Sequence, residues 1–272
     1  MSDSYYELVD PADTRGERFT ASDLVRSTWS ASIQHGAPVS ALLVRALEHC
    51  EPRSDTRLSR VVIDLLGGVP AEGEFWVRAR IERPGRQIEL VDAEMLGPGR
   101  DGDIRPVARA SGWRMQTLDT AELVHAPEPP LSPLSQARSR DMAKRWDRNY
   151  VHSLDWRWLT SPSDPGAGES WLRSTVDLVA GEQMSALQRL FSVADCANGL
   201  GNKLDIRQWT FLNTDLMVNV HRVPEGPWTG IRALTDHGPD GMGATIATLF
   251  DVHGPVGALQ QSVLIRPRPG RS

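Results

Sequence analysis

The hydrophobic and polar positions of the chain fall into two stretches with the same succession of periods. In HGAPVSALLVRALEHC (35–50) the apolar residues Val39, Leu42, Leu43, Ala46 and Leu47 recur at helical spacing, and Pro38 suits a first helical turn. The period then changes. LSRVVIDLL (58–66), EFWVRARIER (74–83), QIELVDAEML (87–96) and RPVARASGWRM (105–115) read as extended segments separated by short Gly/Pro-bearing connections. They predict one helix followed by an antiparallel meander. From 117 to 150 the run HAPEPPLSPLSQARSRD is dense in Pro, Ser and charge and predicts a linker crossing the surface, with MAKRWDRNY after it as a short helical or irregular stretch. SLDWRWLT and SWLRSTVDLV then read as strands. EQMSALQRLFSVADCANGLG (182–201) predicts a second helix, with Met184, Leu187, Leu190, Phe191 and Ala194 on one face and glycines near its end. Four strand-like segments follow it, 208–222, 228–238, 243–252 and 257–268.

The halves can be laid over each other. Val69-Pro70 in GVPAEGEFW echoes Val223-Pro224 in RVPEGPW, Pro106-Val107-Ala108 echoes Pro255-Val256-Gly257, and Ser40-Ala41-Leu42 echoes Ser185-Ala186-Leu187. The shared order carries the weight: helix, strand, Val-Pro turn, Trp-bearing strand, strand, Pro-Val strand. An α+β unit of one helix on one antiparallel sheet is therefore expected twice, over 1–117 and 151–272, with 118–150 joining them. A helix on one sheet needs a partner to bury its remaining surface, and two copies joined edge to edge supply it while closing an open strand edge.

At 272 residues the chain is comfortable for one fold built twice. Its net charge of −5 gives no footprint for nucleic acid. Cys50 and Cys196 lie in helix-like segments without metal-ligand spacing, so a reducing compartment is expected rather than a disulfide framework. The N-terminus is polar and acidic, unlike a signal peptide, and no apolar stretch approaches the roughly 18 residues of a membrane span. A cytoplasmic location with no membrane insertion is expected. There is no G-x-S-x-G, no G-x-G-x-x-G after a strand, no Walker loop and no Cys/His pair at zinc spacing.

Three landmarks in the second half fall in a familiar order: Val193-Ala194-Asp195 late in the helix, Asn213-Thr214-Asp215 entering a strand that ends in Val220-His221-Arg222, and Leu259-Gln260-Gln261 shortly before Ile265-Arg266. With His35-Gly36 ahead of the first helix, the arrangement resembles the hotdog fold, in which a sheet wraps around a central helix. The tandem form resembles the type II acyl-CoA thioesterases and related actinobacterial thioesterase-like proteins. The resemblance implies a double hotdog: two long helices, each wrapped by an antiparallel sheet, with the sheets joined into one. In those thioesterases an Asp, a Thr and a Gln hold the water that attacks the thioester carbonyl. Alignment on His221-Arg222 and Arg266 carries these roles to Asp195, Asn213 and Gln261, with Asn where Thr is the family's residue. Thr214 is next door, but one step along a strand points to the other face.

The resemblance implies an acyl-CoA or other acyl-thioester substrate, a place in fatty acid metabolism, no cofactor beyond the CoA of the substrate, and a homodimer or larger assembly. Asp195 would be the base, the two amides would orient the water, and a helix-associated N–H would receive the oxyanion. Two other readings accompany hydrolysis: a non-catalytic acyl-thioester-binding or assembly protein, kept open by Asn213, and an enoyl or 3-hydroxyacyl thioester hydratase, which would need a His beside Asp195 that the sequence does not point to.

Plainer roles compete at each position. A helix-terminal Asp is usually solvated. Gln261 faces the helix if Leu259, Gln261, Val263 and Ile265 are the buried set, and Gln260 does if they are not. Asp215 shares a strand face with Asn213 and supports the site or is solvated. His35 reads as an entry-loop residue, His49 as a helix-end one, and His221-Arg222 as structural. The nine tryptophans read as core or interface.

Overall fold

A computed structural model describes residues 3–99, 101–139 and 149–268. The first run comprises β1 (Ser4–Asp10), β2 (Glu17–Ala21), α1 (Gly36–His49), β3 (Thr56–Leu65), β4 (Glu74–Arg83), β5 (Ile88–Pro98) and β6 (Ile104–Gln116). The second comprises α2 (Asn149–His152), β7 (Leu154–Trp158), β8 (Gly168–Ser174), β9 (Asp177–Val179), α3 (Ala186–Ala194), α4 (Ala197–Gly201), β10 (Trp209–Asn213), β11 (Asp215–Val220), β12 (Thr229–His237), β13 (Met242–Asp251) and β14 (Gly254–Pro267). Most of MAKRWDRNY lies outside the described residues; its last two residues open α2.

One sheet contains all the strands, in the order β7-β8-β12-β13-β14-β11-β3-β6-β5-β4-β2-β1-β9, with β10 also on β14. Its two halves run outward from the β11–β3 pair in matching order: β3-β6-β5-β4-β2-β1 on one side, β11-β14-β13-β12-β8-β7 on the other. The antiparallel β3–β11 join, Val61 opposite Val218, closes the edge each half would otherwise leave open. α1 packs on β3 to β6, α3 and α4 on β8 and β12, and α1 and α3 on each other. This is the double hotdog. Strand alternation selects the inner face: Val91, Ala93 and Met95 on β5, and Leu259, Gln261, Val263 and Ile265 on β14, are buried. No helix among the described residues is long and apolar enough to cross a membrane.

Four features differ from the sequence reading. β1 and β2 were not expected, because their polar residues mask the buried Tyr5, Tyr6 and Phe19. The predicted strand 170–179 is two, since β9 leaves β8 to pair in parallel with β1. The second helix is not one long rod: the N–H of Cys196 bonds back to the carbonyl of Val193, a tightened turn that separates α3 from α4 at Asp195. The segment 208–222 is two strands. Asn213 stands opposite Val263 while Met217 stands opposite Gln260, so the strand carries one residue more than β14 across this stretch. That is a β-bulge.

Residues 128–138 of the linker lie over the outer face of the second half. Leu131 is buried against Trp171 and Phe250, the Trp171 indole N–H donates to the carbonyl of Ser132, and Arg232 pairs with Glu128.

Candidate active site

The bulge has a direct effect on side chains. Before it Phe211 and Asn213 face inward; beyond it Leu216, Val218 and Val220 do. Asp215 therefore does not share the inner face with Asn213. Its carboxylate turns back and accepts the N–H of Ser262 (2.7 Å), while its carbonyl accepts from Asn213 Nδ2 (3.1 Å), so it braces the bulge. The irregularity lets the chain present an amide to the helix at one position and return to regular pairing at the next.

Asp195, Asn213 and Gln261 meet. Asp195 caps the C-terminal end of α3 and is only 6% exposed. Its Oδ1 accepts from Asn213 Nδ2 at 2.6 Å and from Gln261 Nε2 at 3.0 Å. Burial pushes the Asp195 carboxyl up from 3.8 to about 6, and the two amide donors act against that rise. Gln260 points to solvent and Gln261 is buried, with Oε1 left without a protein partner.

The other side of the carboxylate is built by the start of α1, 160 residues away in sequence. His35 is the N-cap: its Nδ1 accepts the N–H of Ala37 (3.2 Å) and lies 3.3 Å from Asp195 Oδ2. An Nδ1 that accepts from the helix leaves the imidazole proton on Nε2, and burial pushes the imidazolium down to about 3, so the ring is neutral near neutral pH. The ring stacks on Tyr150 (3.9 Å, 21°), whose hydroxyl donates to the carbonyl of Ser192 on α3. Gly36 follows. A Cβ there would stand 2.7 Å from Asp195 Oδ2, so the carboxylate rests directly against the helix start. Of the first-turn donors of α1, Ala37 N–H is taken by His35 and Pro38 has none, which leaves Gly36, itself a lining residue of the adjoining cavity, with the first-turn N–H that no helical partner takes.

A cavity of about 250 Å³ opens beside these groups, lined by Trp29, Val39, Val151, Trp156, Trp158 and Phe211 among others. Asn198 also lines it. Its Nδ2 donates to the carbonyl of Phe211, and its Oδ1 is buried without a protein partner. The sequence reading placed no His beside Asp195, gave His35 to the entry loop and omitted Asn198. It put the tryptophans in core or interface, and Trp156 and Trp158 do lie in the core with Trp29 packed against it, but these three also line this cavity. The only trace was the His-Gly pair itself; nothing local tied it to a carboxylate in the other half. Arg222, by contrast, is structural: it holds the buried Asp251 through two 2.6 Å bonds.

Family models of the acyl-CoA thioesterase N-terminal and C-terminal domains match residues 25–115 and 128–265. The chain belongs to the acyl-CoA thioesterase family. It is an enzyme of the thioester hydrolase class. No curated protein matches the thioesterase chain by sequence. Its fold is that of a conserved hotdog protein of unknown function from Alicyclobacillus acidocaldarius (TM-score 0.74, 13% identity, 94% of each chain covered). It is likewise that of an acyl-CoA thioesterase II from Mycobacterium marinum (TM-score 0.66, 13% identity, 98% of this chain and 96% of that one). At these identities the likeness speaks for fold, and the family models speak for the hydrolase class.

Proposed function

We propose that this thioesterase hydrolyses acyl-CoA with a water held between Asp195, Gln261 and Asn213. One observation carries the reading: a buried carboxylate whose Oδ1 is fixed by two amide donors while Oδ2 faces the cavity with no donor from the neutral His35. Oδ2 is then the oxygen free to take a proton from water. With its pKa near 6, Asp195 is ionised at neutral pH yet basic enough to accept it. Gln261 Oε1 accepts the second proton of the same water and fixes its lone pair toward the thioester carbon. Attack there forms a C–O bond and places charge on the carbonyl oxygen, which the N–H of Gly36 at the positive end of α1 receives. Collapse breaks the C–S bond, Asp195 returns its proton to the leaving thiolate, and the products are the free acid and CoA thiol. The acyl chain lies among Trp29, Val39 and Phe211, and the CoA head group stays outside.

Asn213 does here what a Thr would do elsewhere, by donating to Asp195, so the Asn does not by itself disable the site. The neighbouring His35 and Asp195 also support a second reading, hydration of an enoyl thioester, but the Nδ1 of His35 is engaged with its own helix. Free-thiol release from short- to long-chain acyl-CoAs tests both. Thiol release that falls at least a hundredfold in Asp195→Ala supports hydrolysis; a modified acyl group still attached to CoA supports hydration; neither reaction refutes both.

A further inference from the structure

The imidazole of His35 has an edge that the positioning of water leaves free. Its Nδ1 edge is taken by the N–H of Ala37 and stands beside Oδ2 of Asp195. One face is covered by the ring of Tyr150. The backbone N–H of His35 donates to the carbonyl of Val25 (2.7 Å), so the residue is held at its main chain as well as at its side chain. What remains is the Nε2 edge. Nε2 has no hydrogen-bond partner among the described residues, yet it is not one of the polar atoms sealed away from water, and the side chain keeps 14% of its surface. His35 lines the catalytic cavity together with Gly36 and Asp195, so the open edge gives onto the space where a thioester lies.

An Nδ1 that accepts from the helix fixes the tautomer, so Nε2 carries the proton. The ring is neutral near neutral pH and presents an N–H donor without a charge. A neutral imidazole held at a helix N-terminus polarises a carbonyl by hydrogen bonding and keeps its proton. Its orientation relative to the base follows from the same contacts. Nδ1 stands beside Oδ2, the oxygen that takes a proton from water, and Nε2 lies across the ring from it. A carbonyl carbon set over that water has the far edge of the ring within reach of its oxygen. The untaken N–H of Gly36 is the next donor along the chain.

We propose that His35 is a catalytic residue whose Nε2–H, together with the N–H of Gly36, binds the carbonyl oxygen of the acyl thioester as charge develops on it. The role rests on hydrolysis at Asp195 and adds a side-chain donor to that site. No proton passes through the ring: water gives its proton to Asp195, the carbonyl oxygen takes up charge and loses it on collapse, and Nε2–H donates throughout. An oxyanion has more than one lone pair to satisfy, and a single backbone N–H leaves one of them unmet. The His-Gly pair then acts as a unit. His35 caps α1 with one nitrogen, which orients the other, and Gly36 supplies the backbone donor beside it.

His35→Asn and His35→Phe separate this role from a structural one. Asn still caps α1, with its Oδ1 in place of Nδ1, but puts no donor where Nε2 stands. Phe keeps the stack on Tyr150 and has no donor at all. With octanoyl-CoA as substrate, both variants are expected to lower kcat about a hundredfold or more with KM within about threefold of wild type, because the lost bond strengthens in the transition state. The second readout is the infrared stretch of octanoyl-CoA labelled at its carbonyl carbon and bound to Asp195→Asn. That band is expected at lower frequency than in free octanoyl-CoA, and to move back toward the free value when either His35 substitution is added. Either variant decides the matter where the other fails to fold. A kcat within about threefold of wild type in a folded variant, or a carbonyl band that the His35 substitutions do not move, overturns the proposal. Wild type that binds octanoyl-CoA but releases no thiol overturns hydrolysis at Asp195, and the carbonyl band read on wild type and its His35 variants still decides whether His35 holds the carbonyl. Octanoyl-CoA that does not bind overturns both.

Discussion

Replacing Asp195 by Asn should sharply reduce activity and stabilise the protein, by an amount that depends on pH. The carboxyl is raised from 3.8 to about 6 because burial penalises its charged form. The unfolded chain loses that proton near pH 4 and the folded chain keeps it to about pH 6, so folding carries no penalty below pH 4. The penalty grows between pH 4 and 6 and levels off above. A displacement of roughly two pH units corresponds to about 3 kcal/mol. Asn is isosteric and neutral at every pH; its Oδ1 can accept from Asn213 and Gln261, and its Nδ2 replaces the Oδ2 beside His35 Nδ1. Asp195→Asn should therefore match wild type at pH 4 and exceed it by about 3 kcal/mol at pH 8, a gain of several degrees in Tm. Thiol release should fall by a factor of about 10² to 10⁴, the usual contribution of a positioned base. Urea unfolding at the two pH values, beside the thiol assay, reads both effects. A stability difference that is absent at pH 8, or equal at both pH values, would refute the claim that Asp195 is held ionised against a desolvation cost.

The remaining expectations concern the same machinery. The kcat/KM for thiol release should decline below about pH 6 as Asp195 protonates, and in Asn213→Ala or Gln261→Ala the decline should move upward by about one to two units, since each donor stabilises the charged form; a pH profile with an unmoved limb contradicts this. Gly36→Ala places a methyl 2.7 Å from Asp195 Oδ2 in a backbone conformation any residue adopts, so it should displace the carboxylate and cost about a hundredfold in kcat/KM with little change in Tm; full activity would show that the carboxylate does not rest there. Arg45→Met leaves the Glu17 and Glu182 carboxylates without their partner and should cost about 3–5 kcal/mol by chemical denaturation at pH 7, partly recovered by adding Glu182→Gln.

The parts of the fold that obey one period over a long run were readable from sequence. β4 covers EFWVRARIER as expected, and α1 follows its apolar spacing. What escaped was what depends on pairing with remote chain. β1 is a short strand in a polar, acidic N-terminal stretch and β2 carries only Phe19 and Ala21 as apolar residues, and both hold their place through Tyr5, Tyr6 and Phe19 against the core. The Gln260 or Gln261 question was a question of phase, which the pairing of β14 with β13 and β11 decides. His35 and Asp195 come together only because α1 and α3 pack against each other.

The bulge shows why the site was legible as residue types but not as geometry. A regular strand through 208–222 would keep Asn213 and Asp215 on one face and leave Leu216, Val218 and Val220 pointing to solvent. Burying those three apolar side chains requires a change of phase, and one extra residue supplies it. Each is worth roughly 1.5–3 kcal/mol of burial, so together they outweigh the local loss of pairing. The same step turns the carboxylate of Asp215 outward, where it takes up the N–H of Ser262, and leaves Asn213 as the amide that reaches Asp195. Had both faced inward, a second carboxylate would have stood beside the first, and like charges at that distance would raise the pKa of Asp195 further and leave less of it ionised at neutral pH. The hydrophobic requirement of β11 and the electrostatic requirement of the base are thus met by one insertion.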